Sequence, residues 1–220
     1  RTIQSNKKLS YDKILIEELY NEYQDKYCDD KFVVDILKKE LSDKKILLLG
    51  PGKTLQENAD IINEFIHEKK PAVVSINFLN EKFPINYVFM GNAKRYSQFF
   101  HKIYGENSDV KLICTSNITE AGKKIDYIVN YSSLFSTTEV IRDNPFIMFL
   151  NLLKKINIKE FWLAGFDGYV QDNADNYYGD YVRLLYCQDN VIARNDAIKN
   201  ELSDLSSNMK INSLTPTRYL

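Results

Sequence analysis

The sequence predicts an α/β fold: a Rossmann-like, mostly parallel sheet flanked by helices, with a short N-terminal helical extension. Three observations predict it. Four consecutive aliphatic residues, Ile46-Leu47-Leu48-Leu49, end abruptly at Gly50-Pro51-Gly52, as a strand buried on both faces of a parallel sheet would. A helical pattern then opens at Leu55 and runs to about Lys70. The same alternation of short apolar run and amphipathic stretch continues through the chain, and several runs stop on glycine or asparagine.

Composition sets the bounds. A chain of 220 residues fits one sizeable domain with a smaller appendage. The expected division is a helical extension or linker at 1–43 and a Rossmann-like domain at 44–220. Formal net charge is -1, with 29 basic and 30 acidic residues, which gives no electrostatic case for nucleic acid. No apolar run is long enough to span a bilayer. Cys28, Cys114 and Cys187 are widely separated and odd in number. They suggest neither a disulfide framework nor a zinc site, and a reducing cytoplasm is expected. The chain opens on Arg1 rather than Met, as an excised part of a longer protein would.

In chain order, Ile14, Leu15, Leu19 and Tyr23 recur at helical spacing between Tyr11 and about Asp25. A second helix is expected from Asp30 to Leu41, with Val33, Ile36, Leu37 and Leu41 on one face and Asp29 or Asp30 as its cap. The strand at 45–49 and the helix at 55–70 follow, and Pro71 stops that helix. Strands are then read at 72–76, 87–90, 111–115 and 126–129, with a helix at 94–104. Asp143 or Asn144 can cap the next helix, with Pro145 in its first turn. A strand at 160–164 leads into Gly165-Phe166-Asp167-Gly168-Tyr169. The polar segment 171–180 reads as a lid or inserted loop. A helix at 191–205 and a last strand near 209–214 complete the pattern.

The turn Gly50-Pro51-Gly52-Lys53-Thr54 is the first candidate site. A glycine turn entering a helix exposes backbone N–H groups that suit a phosphate, and Lys53 and Thr54 add a cation and a hydroxyl. It is not a standard nucleotide motif. A Walker loop needs glycine where Leu47 stands, and the dinucleotide fingerprint needs glycine or alanine where Leu55 stands. The competing reading is a tight turn whose glycines serve only geometry. Asn77, Asn92, Asn117 and Asn130 each follow a strand, where a parallel sheet binds ligands. Their amides suit ribose, base and sugar hydroxyls, although asparagine is equally at home in turns. Asp167, at the second glycine-bounded strand end, is a candidate for ribose contact, for a catalytic base or for a loop cap. His67 and His101 have no neighbouring ligand pattern, and Ser132, Ser133 and Ser136 lack a nucleophile elbow.

Leu49-Gly50-Pro51-Gly52-Lys53-Thr54-Leu55 resembles the Gly-Asn-Gly-Pro-Ser-Leu loop of the family 42 bacterial sialyltransferases. Cys114-Thr115-Ser116-Asn117 and Phe161-Trp162-Leu163-Ala164-Gly165-Phe166-Asp167-Gly168-Tyr169 fall in that family's order, as does the strand end at Asn77. Tyr177 and Tyr178 lie near where the family carries tyrosines that face a phosphate. The resemblance covers roughly residues 45–214 and implies a metal-independent transferase fold holding a CMP-sugar or other nucleotide-sugar donor. One departure is serious. The family's catalytic histidine sits in a pattern like His-Ser-Lys-Asn-Thr-Asp, the matching stretch here is Val191–Asp196, and no histidine follows His101. Asp167 would have to serve instead, or transfer does not occur.

A second resemblance extends over residues 11–44 as well. Tyr11-Asp12-Lys13, Glu17-Glu18-Leu19-Tyr20, Asp29-Asp30 and the Gly50 loop look like the C-terminal region of long bacterial aldolase-type proteins. The N-terminal part of those proteins is a barrel of the HMG-CoA-lyase or 4-hydroxy-2-oxovalerate-aldolase kind. The resemblance implies a surface-polysaccharide enzyme in which aldol chemistry and its metal belong to a covalently preceding barrel.

Two functions are therefore expected to compete. In one, the chain binds a nucleotide or nucleotide-sugar, as part of an aldolase-type enzyme and as a candidate glycosyltransferase. Gly50, Pro51, Gly52, Lys53 and Thr54 would hold phosphate, Asn77, Asn92 and Asn117 would contact ribose, base or sugar, Asp167 would act as base, and Tyr177 or Tyr178 would close over the phosphate. In the other, it is a non-catalytic interaction or regulatory module. A self-contained dinucleotide enzyme is a third, weaker reading, opposed by the broken fingerprint.

Overall fold

Short apolar segments form the buried interior of one parallel sheet, which has seven strands among the described residues, and its two edge strands are the more exposed ones. A computed structural model of the chain describes residues 13–27, 29–103, 109–118, 125–170 and 190–220. The strands are β1 (Ile46–Leu49), β2 (Ala72–Ile76), β3 (Tyr87–Met90), β4 (Lys111–Thr115), β5 (Tyr127–Val129), β6 (Glu160–Ala164) and β7 (Lys210–Ser213). Their order across the sheet is β5-β4-β3-β2-β1-β6-β7, and every pairing is parallel. This is a Rossmann-like α/β sheet.

Strand periodicity divides the core in two. Ile46, Leu48, Val74, Phe89 and Leu163 face one layer, while Leu47, Leu49, Val73, Val88 and Met90 face the other. The first layer holds α2 (Lys31–Leu41), α6 (Pro145–Lys155) and α7 (Val191–Ser206). The second holds α4 (Ala59–Lys69) and α5 (Ala93–Ile103). All four aliphatic residues of β1 are 0% exposed, and each such burial is worth about 1.5–3 kcal/mol before chain entropy is set against it.

The helix ends follow their local chemistry. Asn144 caps α6, its Oδ1 accepting the N–H groups of Phe146 (3.0 Å) and Ile147 (3.4 Å), with Pro145 in the first turn. Lys70 closes α4 in the left-handed region, φ 46°, just before Pro71. Asp30 behaves differently from the expected cap: its side chain makes no capping bond and instead accepts the Asn130 N–H at 2.9 Å. That bond ties the start of α2 to the end of β5.

One expectation needs correction. The helix expected at 55–70 is two helices, α3 (Thr54–Glu57) and α4, broken at Asn58 with φ -114° and ψ 26°. Asn58 Nδ2 donates to the Thr54 carbonyl at 2.9 Å, a side-chain bond that competes with helix continuation. The expected first helix is α1 (Lys13–Tyr27), and Ile14, Leu15 and Leu19 on it face solvent, 70%, 50% and 56% exposed. Leu37 and Leu41 of α2 are 0% and 1% exposed within the main core, so α2 is a layer of the sheet domain. Among the described residues, no helix is long and apolar enough to cross a membrane.

Candidate functional site

Strand order runs outward from β1 in one direction through β5 and in the other through β6 and β7. The reversal lies between β1 and β6, and such a switch point opens a crevice at the carboxyl ends of the strands. The two glycine-bounded ends, Gly50 and Gly165, therefore adjoin. The Gly50 N–H donates to the Ala164 carbonyl and the Gly52 N–H to the Gly165 carbonyl, both at 2.8 Å. Gly165 has φ 74°, which favours glycine. At Gly52 an added Cβ would lie 2.6 Å from the Gly165 carbonyl oxygen and against the Asp167 carboxyl group. The glycines thus allow two strand ends to close on one another.

Asp167 sits on the turn itself. Its Oδ2 accepts the Thr54 N–H at 3.0 Å, and its Oδ1 accepts the Thr54 hydroxyl. The chain's own carboxylate therefore occupies the place expected for a phosphate at the start of the helix. The anion argument weakens further because α3 spans only Thr54–Glu57, and a single turn sums few peptide dipoles.

A cleft of about 170 Å³ opens beside this junction. Pro51 and Gly52 line it, together with Asn77, Arg95, Asn144, Asp167 and Tyr169. Gly50, Lys53 and Thr54 lie outside its lining. One wall is aromatic: the Phe146 and Phe166 rings stack at 4.1 Å and 29°, and Tyr219 stacks on Phe146 at 6.4 Å and 26°. Asn144 Nδ2 donates to the Tyr169 hydroxyl at 3.1 Å. Asn195 pins the same residue by its backbone, accepting the Tyr169 N–H at 2.9 Å and donating to its carbonyl at 2.8 Å. Asn195 belongs to the Val191–Asp196 stretch.

The four asparagines divide. Asn77 lines the cleft. It adopts φ 58°, and its Oδ1 accepts the Gly91 N–H at 2.9 Å, joining the ends of β2 and β3. Asn92 caps α5 through the N–H groups of Lys94 (3.0 Å) and Arg95 (3.2 Å). Asn117 accepts the Thr115 hydroxyl at 2.5 Å within its own turn. Asn130 Nδ2 donates to the Gln24 carbonyl at 3.0 Å, anchoring α1. Tyr177 and Tyr178 lie outside the described residues.

Sequence reasoning missed Arg95. It is 4% exposed, lines the cleft, and its Nη1 donates to Gln98 Oε1 at 3.0 Å. The available signal was positional: a cation in the first turn of the helix that follows a strand end on the ligand edge. His67 is exposed, and among the described residues no histidine lines the cleft. Among the described residues, no group of three or more His, Cys, Asp or Glu is placed to hold a metal ion.

A second polar cluster lies at the opposite edge. Tyr87, Lys111 and Tyr127 begin β3, β4 and β5, and all three reach Glu40 of α2. Tyr87 donates at 2.8 Å, Tyr127 at 2.7 Å, and Lys111 to both carboxylate oxygens at 2.9 Å. Burial works to raise the Glu40 carboxyl, but the bonds from Lys111, Tyr127 and Tyr87 outweigh it and hold the group below its ordinary value. The Glu40 bond chiefly pushes the Lys111 ammonium up, and burial chiefly pushes up both phenols.

The chain matches no protein-family model, and no curated protein or solved structure is similar to it at a significant level.

Proposed function

We propose that residues 44–220 bind a nucleotide or nucleotide-sugar in the cleft between the ends of β1 and β6. One observation carries the reading: Gly52, Asn77, Arg95 and Asp167 converge on a single cleft at the switch point of the sheet, the place where open α/β sheets take ligands. Asn77 and Asn144 supply amide groups for hydroxyls, Arg95 supplies positive charge, and the Phe146–Phe166 stack offers a flat apolar wall. By its resemblance to aldolase-type proteins, the domain serves an enzyme of surface-carbohydrate metabolism whose lyase chemistry belongs to a preceding barrel.

For glycosyl transfer, Asp167 would have to take a proton from an acceptor hydroxyl at about 2.6–3.2 Å. Both of its oxygens already accept from Thr54. That observation favours the second reading, a non-catalytic module that keeps the fold and the cleft without the transfer. Calorimetric titration with CMP, UMP, their sugar conjugates and NAD tests the binding itself. Selective binding of CMP or a CMP-sugar supports the transferase-like site, and incubation of the bound donor with sugar acceptors then separates transfer from simple binding. Failure of every one of these ligands to bind moves the assignment to the accessory module.

A further inference from the structure

We propose that the amino end of the sheet, where the strands begin, is a docking face for an anionic lipid surface. A parallel sheet gathers its strand starts, and the helix ends that lead into them, at one end. The register sets Ile46 of β1 beside Ala72 of β2 and Phe161 of β6, and Glu160 of β6 beside Lys210 of β7. Lys45, Lys159 and Lys210 therefore stand at the starts of neighbouring strands. Lys44, Lys45 and Lys159 are exposed, and with Ser42 and Trp162 they line one shallow depression. Asp43 and Glu160 lie in the same lining. Glu160 is held by Lys210 at 2.7 Å, so lysine charge remains in excess. The Glu40 network at this end is balanced internally, Lys111 meeting its carboxylate at 2.9 Å.

Part of the local charge has a simpler cause. Lys38 and Lys39 close α2, Lys69 closes α4, and Lys154 and Lys155 close α6, where a cation complements the helix dipole. That cause does not reach Lys44, Lys45 and Lys159, which lie between a helix and the next strand.

The choice of lysine points to the partner. Every cation named at this end is lysine, whereas the described arginines, Arg95, Arg142, Arg194 and Arg218, belong to segments near the carboxyl ends of the strands. Protein interfaces favour arginine and deplete lysine, and readers of nucleic-acid bases rely on arginine forks. A membrane surface asks only for positive charge close to its headgroups. Trp162 adds a second feature. It is half-buried, Lys45 Nζ lies 5.9 Å from its ring centroid, and Phe65 packs on it at 5.4 Å. An indole with an apolar side and a rim of ammonium groups suits headgroup depth.

The chain has one tryptophan, so its emission reports from this face. The intact chain is mixed with vesicles of phosphatidylcholine alone or of phosphatidylcholine with phosphatidylserine, and the vesicles are sedimented. The chain should sediment with the phosphatidylserine vesicles only, and Trp162 emission should shift to shorter wavelength. Raising salt from about 0.1 M to about 1 M shortens the screening length from ~10 Å to ~3 Å and should release it. Lys44→Gln/Lys45→Gln/Lys159→Gln should weaken binding about 100-fold, roughly fivefold per lysine. Lys31→Gln/Lys82→Gln/Lys199→Gln removes the same charge elsewhere and should weaken it less than about threefold. Thermal melts establish that both variants fold, and the lipid, salt and emission results on the wild-type chain decide the matter if either does not. Equal binding to both vesicles, no binding to either, or equal loss from the two triple variants overturns the proposal. Binding that leaves Trp162 emission unchanged overturns it too, by putting the lipid on another face. Capture of a single-stranded oligonucleotide in place of the vesicles would make the partner a nucleic acid instead. None of these results bears on the cleft between β1 and β6.

Discussion

The two edges of the sheet use charge in opposite ways. At the amino edge, Glu40, Lys111, Tyr87 and Tyr127 close into a network whose members bond one another. It has shifted titrations and strong partners, and it joins α2 to three strands. At the carboxyl edge, Asp167 and Arg95 line a cleft, and Asp167 holds Thr54 of the neighbouring turn. Perturbed titration often marks a functional site, but structural ion networks perturb it too. Here the perturbed cluster is a fastening, and the candidate site is marked by space and by strand topology.

That contrast can be broken in several places, beginning with the largest effect. Gly165→Ala combines a left-handed backbone with a collision against the Gly50 carbonyl, so it should cost about 2–4 kcal/mol in urea unfolding. A smaller loss would mean that the closure of the two strand ends is looser than described. Glu40→Ala should cost about 1–2 kcal/mol, after allowance for the solvent around a part-exposed pair, and should leave ligand affinity unchanged. Altered affinity would show that the two edges communicate.

The pH dependence sharpens the same point. Because the folded Glu40 carboxyl lies below its ordinary 4.5, its contribution to stability is present above that value and is lost as pH falls through the lower folded value. Acid unfolding of wild-type and Glu40→Ala chains should therefore converge as pH drops below about 4.5, and parallel curves would refute the linkage. At the other edge, Thr54→Val removes one hydroxyl donor and keeps the backbone one. It should cost only about 0.5–1.5 kcal/mol. The smallest expected effect is Lys53→Ala: ligand affinity should change less than twofold, about 0.4 kcal/mol, because Lys53 lies outside the cleft lining.

Much of the fold was legible because buried parallel strands write themselves as short apolar runs. The expected strand at 160–164 is β6, Glu160–Ala164, and the expected 72–76 is β2, Ala72–Ile76. The break at Asn58 was not legible, since apolar periodicity runs through it and only a side-chain bond to Thr54 marks it. Nor was the solvent-facing set Ile14, Leu15 and Leu19, because periodicity gives a face without saying what covers it. At the site, both glycine ends were readable as lying on one edge of the sheet, but their adjacency was not, because it follows from the pairing of β1 with β6. That Asp167 would fill the expected anion position was not readable, nor that Asn92 and Asn117 would spend their oxygens within their own turns. Such choices depend on where side chains meet in three dimensions.

The pairing of β1 with β6 sets Ile46 beside Phe161 and Leu49 beside Ala164, across more than half of the chain. Contacts so distant in sequence must overcome a large loop-closure entropy and form slowly. While the chain is being synthesised, β2 through β5 can assemble on one side of β1 before β6 has emerged. Until then β1 is an unpaired edge made wholly of leucine and isoleucine, the kind of edge that invites pairing with another chain. A strand that ends in the interior of the finished sheet is thus the most exposed liability of the nascent one, and the cleft comes into being at the moment that liability is closed.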